Sequence, residues 1–202
     1  MNSVDRFCKS CKFLTLGAMA LVIATIVIAA MVIAESAWAQ PADGFSIMIS
    51  AVEHDNTIEF DKGLLDGFEL DYTSAGQGLG IDYQIKLGDA SSWVLFYQNS
   101  SESVDDELNA FDTAIHTFYG AQYRLWAGSL FVGAQAGVYG ITLESDNDGS
   151  STGSGPGYGL VIGLEGDGGL YLMLQSDRAE VAFDDADVKV VGQRLSLGFR
   201  FK

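Results

Sequence analysis

The chain has 202 residues with 27 acids against 11 bases and a formal charge of −16, which suits one full domain and excludes a nucleic-acid binder. Cys8 and Cys11 are the only cysteines, and no second pair or histidine cluster accompanies them, so neither a zinc finger nor a disulfide framework is expected.

Residues 1–39 have the pattern of a secretory signal. A basic segment ends at Lys12, an uncharged run extends from Phe13 to Ala34, and Ala37-Trp38-Ala39 offers small residues at the two positions that a signal peptidase reads. Cleavage before Gln40 would remove both cysteines and leave a domain of residues 40–202. A retained anchor is the alternative, because the 22 uncharged residues from 13 to 34 could span a bilayer.

The first run, FSIMISAV from Phe45, alternates Phe45, Ile47, Ile49 and Ala51 with Ser46, Met48, Ser50 and Val52. A long acidic stretch, 54–75, reads as a loop whose middle extends the flanking strands. In the second run Leu79, Ile81, Tyr83, Ile85 and Leu87 share one parity, and Gly78, Gly80, Asp82, Gln84 and Lys86 the other. After a short turn at 88–92 the third run begins at Trp93, and an acidic loop, 102–114, leads to a fourth run around Tyr119 to Leu125. Ala127-Gly128 reads as a tight hairpin into the fifth run, LFVGAQAGVYG. Residues 145–157, rich in Ser, Gly and Asp, read as loop. The sixth run carries Tyr158, Leu160, Ile162 and Leu164 on one face, residues 167–169 make a turn, and the seventh run follows from Leu170. Asp184 to Asp187 link it to the eighth.

The eighth run decides which face looks where. Val191, Leu195, Leu197, Phe199 and Phe201 share one parity, while Gly192, Arg194, Ser196, Gly198 and Arg200 hold the other. Glycine weakens a water-facing strand position without benefit, but in a crowded interior it makes room for long neighbours. The glycine and arginine face is therefore inward and the apolar face outward, which requires lipid outside. Eight runs of about ten residues, each long enough to cross a bilayer when tilted, predict an all-β, closed eight-stranded antiparallel up-and-down transmembrane barrel. Outward Phe45, Trp93, Phe199 and Phe201 fall at the short-turn ends, and Tyr97, Tyr119 and Tyr158 toward the loop ends, as interfacial girdles do.

A signal segment, eight amphipathic strands and a final strand ending Phe199-Arg200-Phe201 resemble the small outer-membrane β-barrel proteins of the OmpX, OmpW and OmpA transmembrane-barrel types. The resemblance is one of pattern over about residues 44–202, and Lys202 departs from it, since such chains usually end on the aromatic residue itself. It implies a Gram-negative outer membrane, contact with lipid and lipopolysaccharide, and insertion by the barrel-assembly machinery.

Some such barrels modify lipid A with a His-x-Ser pair. Here His116-Thr117-Phe118 puts phenylalanine where the serine would stand, and His54 has no evident partner in sequence, so no catalytic site is expected. Asp146-Asn147-Asp148-Gly149 fails as a calcium loop because Gly155 falls where the bidentate glutamate belongs. No cofactor or metal site is expected. The function expected is structural or surface-interactive, through the three acidic loops; a soluble lipocalin-like barrel and a lipid A-modifying enzyme are the rival readings.

The interior is expected to be filled by Asp82, Lys86, Gln122, Arg124, Gln135, Glu165 and Arg200 and by a charged pair, Asp177 and Arg194. A last hairpin centred on Asp185-Ala186 would pair residues whose numbers sum to about 371, placing Asp177 opposite Arg194 and Tyr171 opposite Arg200.

Overall fold

A computed structural model describes residues 41–60, 67–106, 111–145 and 149–201. The proposed signal segment, Asp146 to Asp148 of the rejected calcium loop, and parts of the first two predicted loops lie outside the described residues. Eight strands run in chain order: β1 Gly44–Phe60, β2 Glu69–Gly88, β3 Ser91–Asp106, β4 Thr113–Ala127, β5 Leu130–Ser145, β6 Gly149–Glu165, β7 Leu170–Ala182 and β8 Ala186–Phe201. Each pairs antiparallel with the next, and β8 pairs with β1, so the sheet closes into a barrel with no free edge. Following paired residues once around, from Ser46 through Asp82, Phe96, Gly120, Gly137, Gly157, Ala179 and Val190, leads back to Asn56 on β1. That ten-residue stagger is the geometric signature of strands tilted across the barrel axis.

Side-chain direction follows the expected parity. Leu79 and Leu160 are 68 % exposed, and Leu197, Phe199 and Phe201 also face out. The fully buried side chains include Arg124, Arg194 and Arg200. An apolar outside around a charged inside is what lipid selects, and it is the reverse of a lipocalin-like barrel. The aromatic residues assigned to the girdles, Phe45, Trp93, Tyr97, Tyr119, Tyr158, Phe199 and Phe201, are all exposed, while Trp126 and Tyr171 point inward.

The strands are 13 to 20 residues long, well beyond the 9 to 11 or so needed to cross a bilayer. Above the belt the two faces keep their phase and exchange their chemistry. Ile58, Leu70, Tyr72, Ile141, Leu143, Val181, Val188 and Val190 are buried in one apolar cluster. Outside, Thr57 donates to Asp71 at 2.7 Å, Thr142 and Thr152 meet at 3.0 Å, and Lys189 pairs with Glu59. This part of the barrel is built like a water-soluble protein.

Three expectations change accordingly. The middle of the 54–75 stretch extends β1 and β2 as expected, but residues 54–56 and 73–75 also belong to those strands, residues 102–106 to β3 and residues 149–157 to β6, so the long loops become walls. The β4–β5 turn is Gly128-Ser129, with Gly128 at φ 65° and Ala127 paired to Leu130, one residue beyond the expected hairpin. In the last hairpin Ala182 faces Asp187, and Phe183 N donates to Ala186 O, so the turn is centred on Asp184-Asp185. The register therefore places Asp177 opposite Gly192, Gln175 opposite Arg194 and Tyr171 opposite Gly198. The two-residue slip leaves every side chain on its expected face, because strand faces repeat every two residues.

Candidate functional site: two polar layers in the lumen

Near the short turns, β2, β4, β6 and β8 send Asp82, Arg124, Glu165 and Arg200 to a common level. Arg200 Nη1 bonds Glu165 Oε2 at 2.5 Å, and its Nη2 lies 3.5 Å from Asp82 Oδ1. Arg124 Nη2 approaches Asp82 Oδ2 at 3.6 Å and its guanidinium lies over the Phe131 ring, 4.5 Å from the centroid. Tyr171 donates to Asp82 Oδ2 at 3.2 Å while Arg200 stands over its ring at 5.5 Å. Gln122 accepts from Arg124 and donates to Gln135 at 3.0 Å. Two carboxylates and two guanidinium groups balance within one layer, which is how buried charge is tolerated in a narrow lumen.

Above it, Gln98 and Gln175 exchange two amide hydrogen bonds across the lumen, at 3.0 and 2.9 Å. Side chains from distant walls thus meet in the middle, and the interior is filled. Lys86 is not part of this interior: it is half-buried at the rim, 3.2 Å from Asp89.

The second polar layer lies where the outer face turns from apolar to polar. His54 on β1, Ser74 on β2, Glu102 and Ser100 on β3, His116 on β4, Tyr139 on β5, Asp177 on β7 and Arg194 on β8 are all buried here. Glu102 accepts from His54 Nδ1 at 2.8 Å, Ser74 at 2.7 Å and Ser100 at 2.6 Å. The His54 and His116 rings stack with centroids 4.2 Å apart and planes 7° from parallel. Tyr139 Oη bridges them, 2.7 Å from His54 Nε2 and 3.1 Å from His116 Nδ1. Asp177 accepts from Gln175 at 3.0 Å and sits 4.0 Å from His54 Nε2. Its expected counter-ion, Arg194, reaches Ser100 at 3.5 Å instead.

Glycine shapes this layer. A Cβ on Gly192 would fall 2.5 Å from His54 Cδ2 and 3.0 Å from Asp177 Oδ2, and one on Gly78 would fall 2.8 Å from Arg194 Nη1. The inward glycines thus vacate the volume that the long polar side chains fill.

The sequence placed His54 at a loop start and His116 at the start of the fourth run, and gave neither a partner. They come together because the barrel wall continues past the belt, and strands far apart in the chain face one lumen. Continuing the inward parity of β1, β3 and β4 through residues 54, 102 and 116 was the signal that pointed to it. Phe118, where a lipid A-modifying site would need its nucleophile, packs edge-on against Phe96 with centroids 5.0 Å apart.

No family model and no curated protein matches the sequence. Among solved structures the chain is similar to Neisserial surface protein A, at 13 % identity over 78 % of this chain and 97 % of that one, with a TM-score of 0.52. It is also similar to the Yersinia pestis attachment invasion locus protein Ail, at 17 % identity over 78 % and 99 % with a TM-score of 0.45. The N-terminal barrel domain of Pseudomonas aeruginosa OprF matches at 16 % over 79 % and 100 %, with a TM-score of 0.43. The first of these likenesses supports the eight-stranded barrel fold.

Proposed function

We propose that this chain is an integral outer-membrane barrel of a Gram-negative envelope, non-catalytic, with a structural and surface-interaction role played by the rigid wall that it raises above the lipid. The observation that carries the reading is the exchange of face chemistry along continuous strands: apolar outside within the belt, polar and acidic outside beyond it. A barrel wholly in lipid has no use for the upper apolar core, and a soluble barrel has no use for the lower apolar belt. β1 begins and β8 ends at the same end of the barrel as the β2–β3, β4–β5 and β6–β7 turns, the periplasmic end in such barrels, so the wall faces outward. There Glu53, Asp55, Glu59, Glu69 and Asp71 line adjacent strands β1 and β2 on the outer face, a surface suited to a cationic partner or to cations shared with lipopolysaccharide. Residues 1–39 act as a cleaved export signal in this reading, and the barrel-assembly machinery inserts the rest.

Fractionation with surface labelling tests it. The protein should sediment with outer membranes, require detergent for release, and migrate faster unboiled than boiled on detergent gels. Cysteines placed at Thr57 and Thr142 should react with a membrane-impermeant reagent on whole cells. Release in detergent-free buffer, or labelling only after the outer membrane is opened, would contradict the reading.

A further inference from the structure

We propose that His54, Glu102 and His116 form a binding site for a divalent transition-metal ion of the zinc class, enclosed in the upper lumen. Their ligand atoms all lie within 4.8 Å of one another. Three buried ligands of imidazole and carboxylate type are the set that a zinc ion with one further coordination position takes.

Proton counting carries the argument further. Tyr139 has one hydroxyl proton and two ring nitrogens within reach, His54 Nε2 and His116 Nδ1. With both rings neutral, one assignment satisfies every contact. His54 donates from Nδ1 to Glu102, so its Nε2 accepts from Tyr139. Tyr139 must then accept from His116 Nδ1, which leaves His116 Nε2 as a bare lone pair. Among the described residues that nitrogen has no hydrogen-bond partner, its residue is 1 % exposed, and it faces Glu102 Oε2 at 3.8 Å. Two electron-rich atoms thus face each other at a separation too long for a hydrogen bond. An ion with metal–ligand distances of about 2.0 to 2.2 Å fits between them.

Two further features fit the same occupant. The lower layer balances two carboxylates with two guanidinium groups, whereas the upper one, with both rings neutral, sets Glu102 and Asp177 against Arg194 alone among the described residues, so a cation improves its balance. Ser74 and Ser100 hold Glu102 in place, as outer partners hold a ligating carboxylate. Because the rings lie parallel, binding requires His116 to turn so that its lone pair converges on the ion with that of His54. Binding through His54 Nδ1 shifts that ring's proton to Nε2, from which it donates to Tyr139 Oη, so both imidazoles ligate as neutral rings.

The test uses the full chain, extracted in detergent, stripped with a chelator, and given zinc chloride or cobalt chloride alone. Loading is tried on the folded barrel and during refolding, because the site is sealed. The expected result is one ion per chain by either route and a metal-dependent rise in thermal midpoint. Cobalt should give ligand-field absorption of tetrahedral strength without thiolate charge transfer, which separates this site from Cys8 and Cys11. His116→Gln and Glu102→Gln should each weaken binding by roughly tenfold or more. X-ray absorption of the zinc-loaded unmodified protein should find two imidazoles and oxygen in the first shell, a readout that stands even where a variant fails to fold. No retained ion by either route, sulfur in the first shell, or binding unchanged in a folded His116→Gln protein would overturn the site and leave the outer-membrane reading untouched.

Discussion

Tyr171 lies directly across from Gly198, and its ring occupies the space that a side chain there would need: a Cβ on Gly198 would come within 2.2 Å of Tyr171 Cζ. The ring in turn carries Arg200 over its face, and the Tyr171 hydroxyl donates to Asp82. Gly198→Ala should therefore cost about 1 to 3 kcal/mol, the range for overpacking a filled interior. At Gly140 the nearest atom to an added Cβ is 3.7 Å away, and Gly140→Ala should leave stability unchanged or raise it slightly. Paired urea titrations of the two variants in micelles check this, and equal losses would show that interior volume is not what the glycines provide.

Arg200 holds Glu165 and Asp82 together in the lower layer. Removing it takes the Arg200 guanidinium from Glu165 and one of two guanidinium groups from Asp82, so Arg200→Gln should cost about 3 to 5 kcal/mol. Combining it with Glu165→Gln removes the carboxylate charge that lost its closest cation and should recover part of the loss. A double-mutant cycle reads the coupling directly, and additive losses would mean that the pair does not interact.

The filled lumen predicts that the protein conducts little. Arg124, Arg200 and Glu165 close one level and the Gln98–Gln175 amide pair another. Planar-bilayer recordings should show no conductance or small, intermittent events. A stable, large single-channel conductance would contradict the packed interior.

Leu197 and Ile162 face outward on strands with clear alternation. Either residue changed to Arg should lose about 2 to 4 kcal/mol of folding stability if it lies near the bilayer midplane. Refolding titrations into lipid vesicles measure this, and unchanged stability in both variants would remove lipid from the apolar face.

Much of the architecture was legible because lipid writes a strong pattern. Large apolar residues alternating with glycine and polar or charged ones specify strand, face and environment together, as Leu79 to Leu87 and Val191 to Phe201 do. Beyond the belt the period of two continues, but its contrast reverses: Ile58 lies between Thr57 and Glu59, and Leu70 between Glu69 and Asp71. Acidic outward residues with few inward ones to mark the phase read as loop, although the strand never breaks. The last register was missed for a different reason. Asp184 to Asp187 offer several acidic turn centres, and a two-residue slip preserves every face, so Asp177 opposite Arg194 and Asp177 opposite Gly192 satisfy the same pattern. The histidine pair was illegible locally, since its partners come from strands that meet only through the lumen.

The central claim is that one continuous barrel wall passes from lipid into water. Spin labels placed singly at Leu79→Cys, Leu160→Cys, Thr57→Cys and Thr142→Cys, with Cys8 and Cys11 changed to Ser, test it in lipid vesicles. Accessibility to oxygen, which concentrates in lipid, is compared with accessibility to a water-soluble nickel complex. Labels at 79 and 160 should favour oxygen, and those at 57 and 142 should favour nickel while remaining immobilised like strand residues. Nickel-dominated accessibility at 79 and 160 would contradict the account.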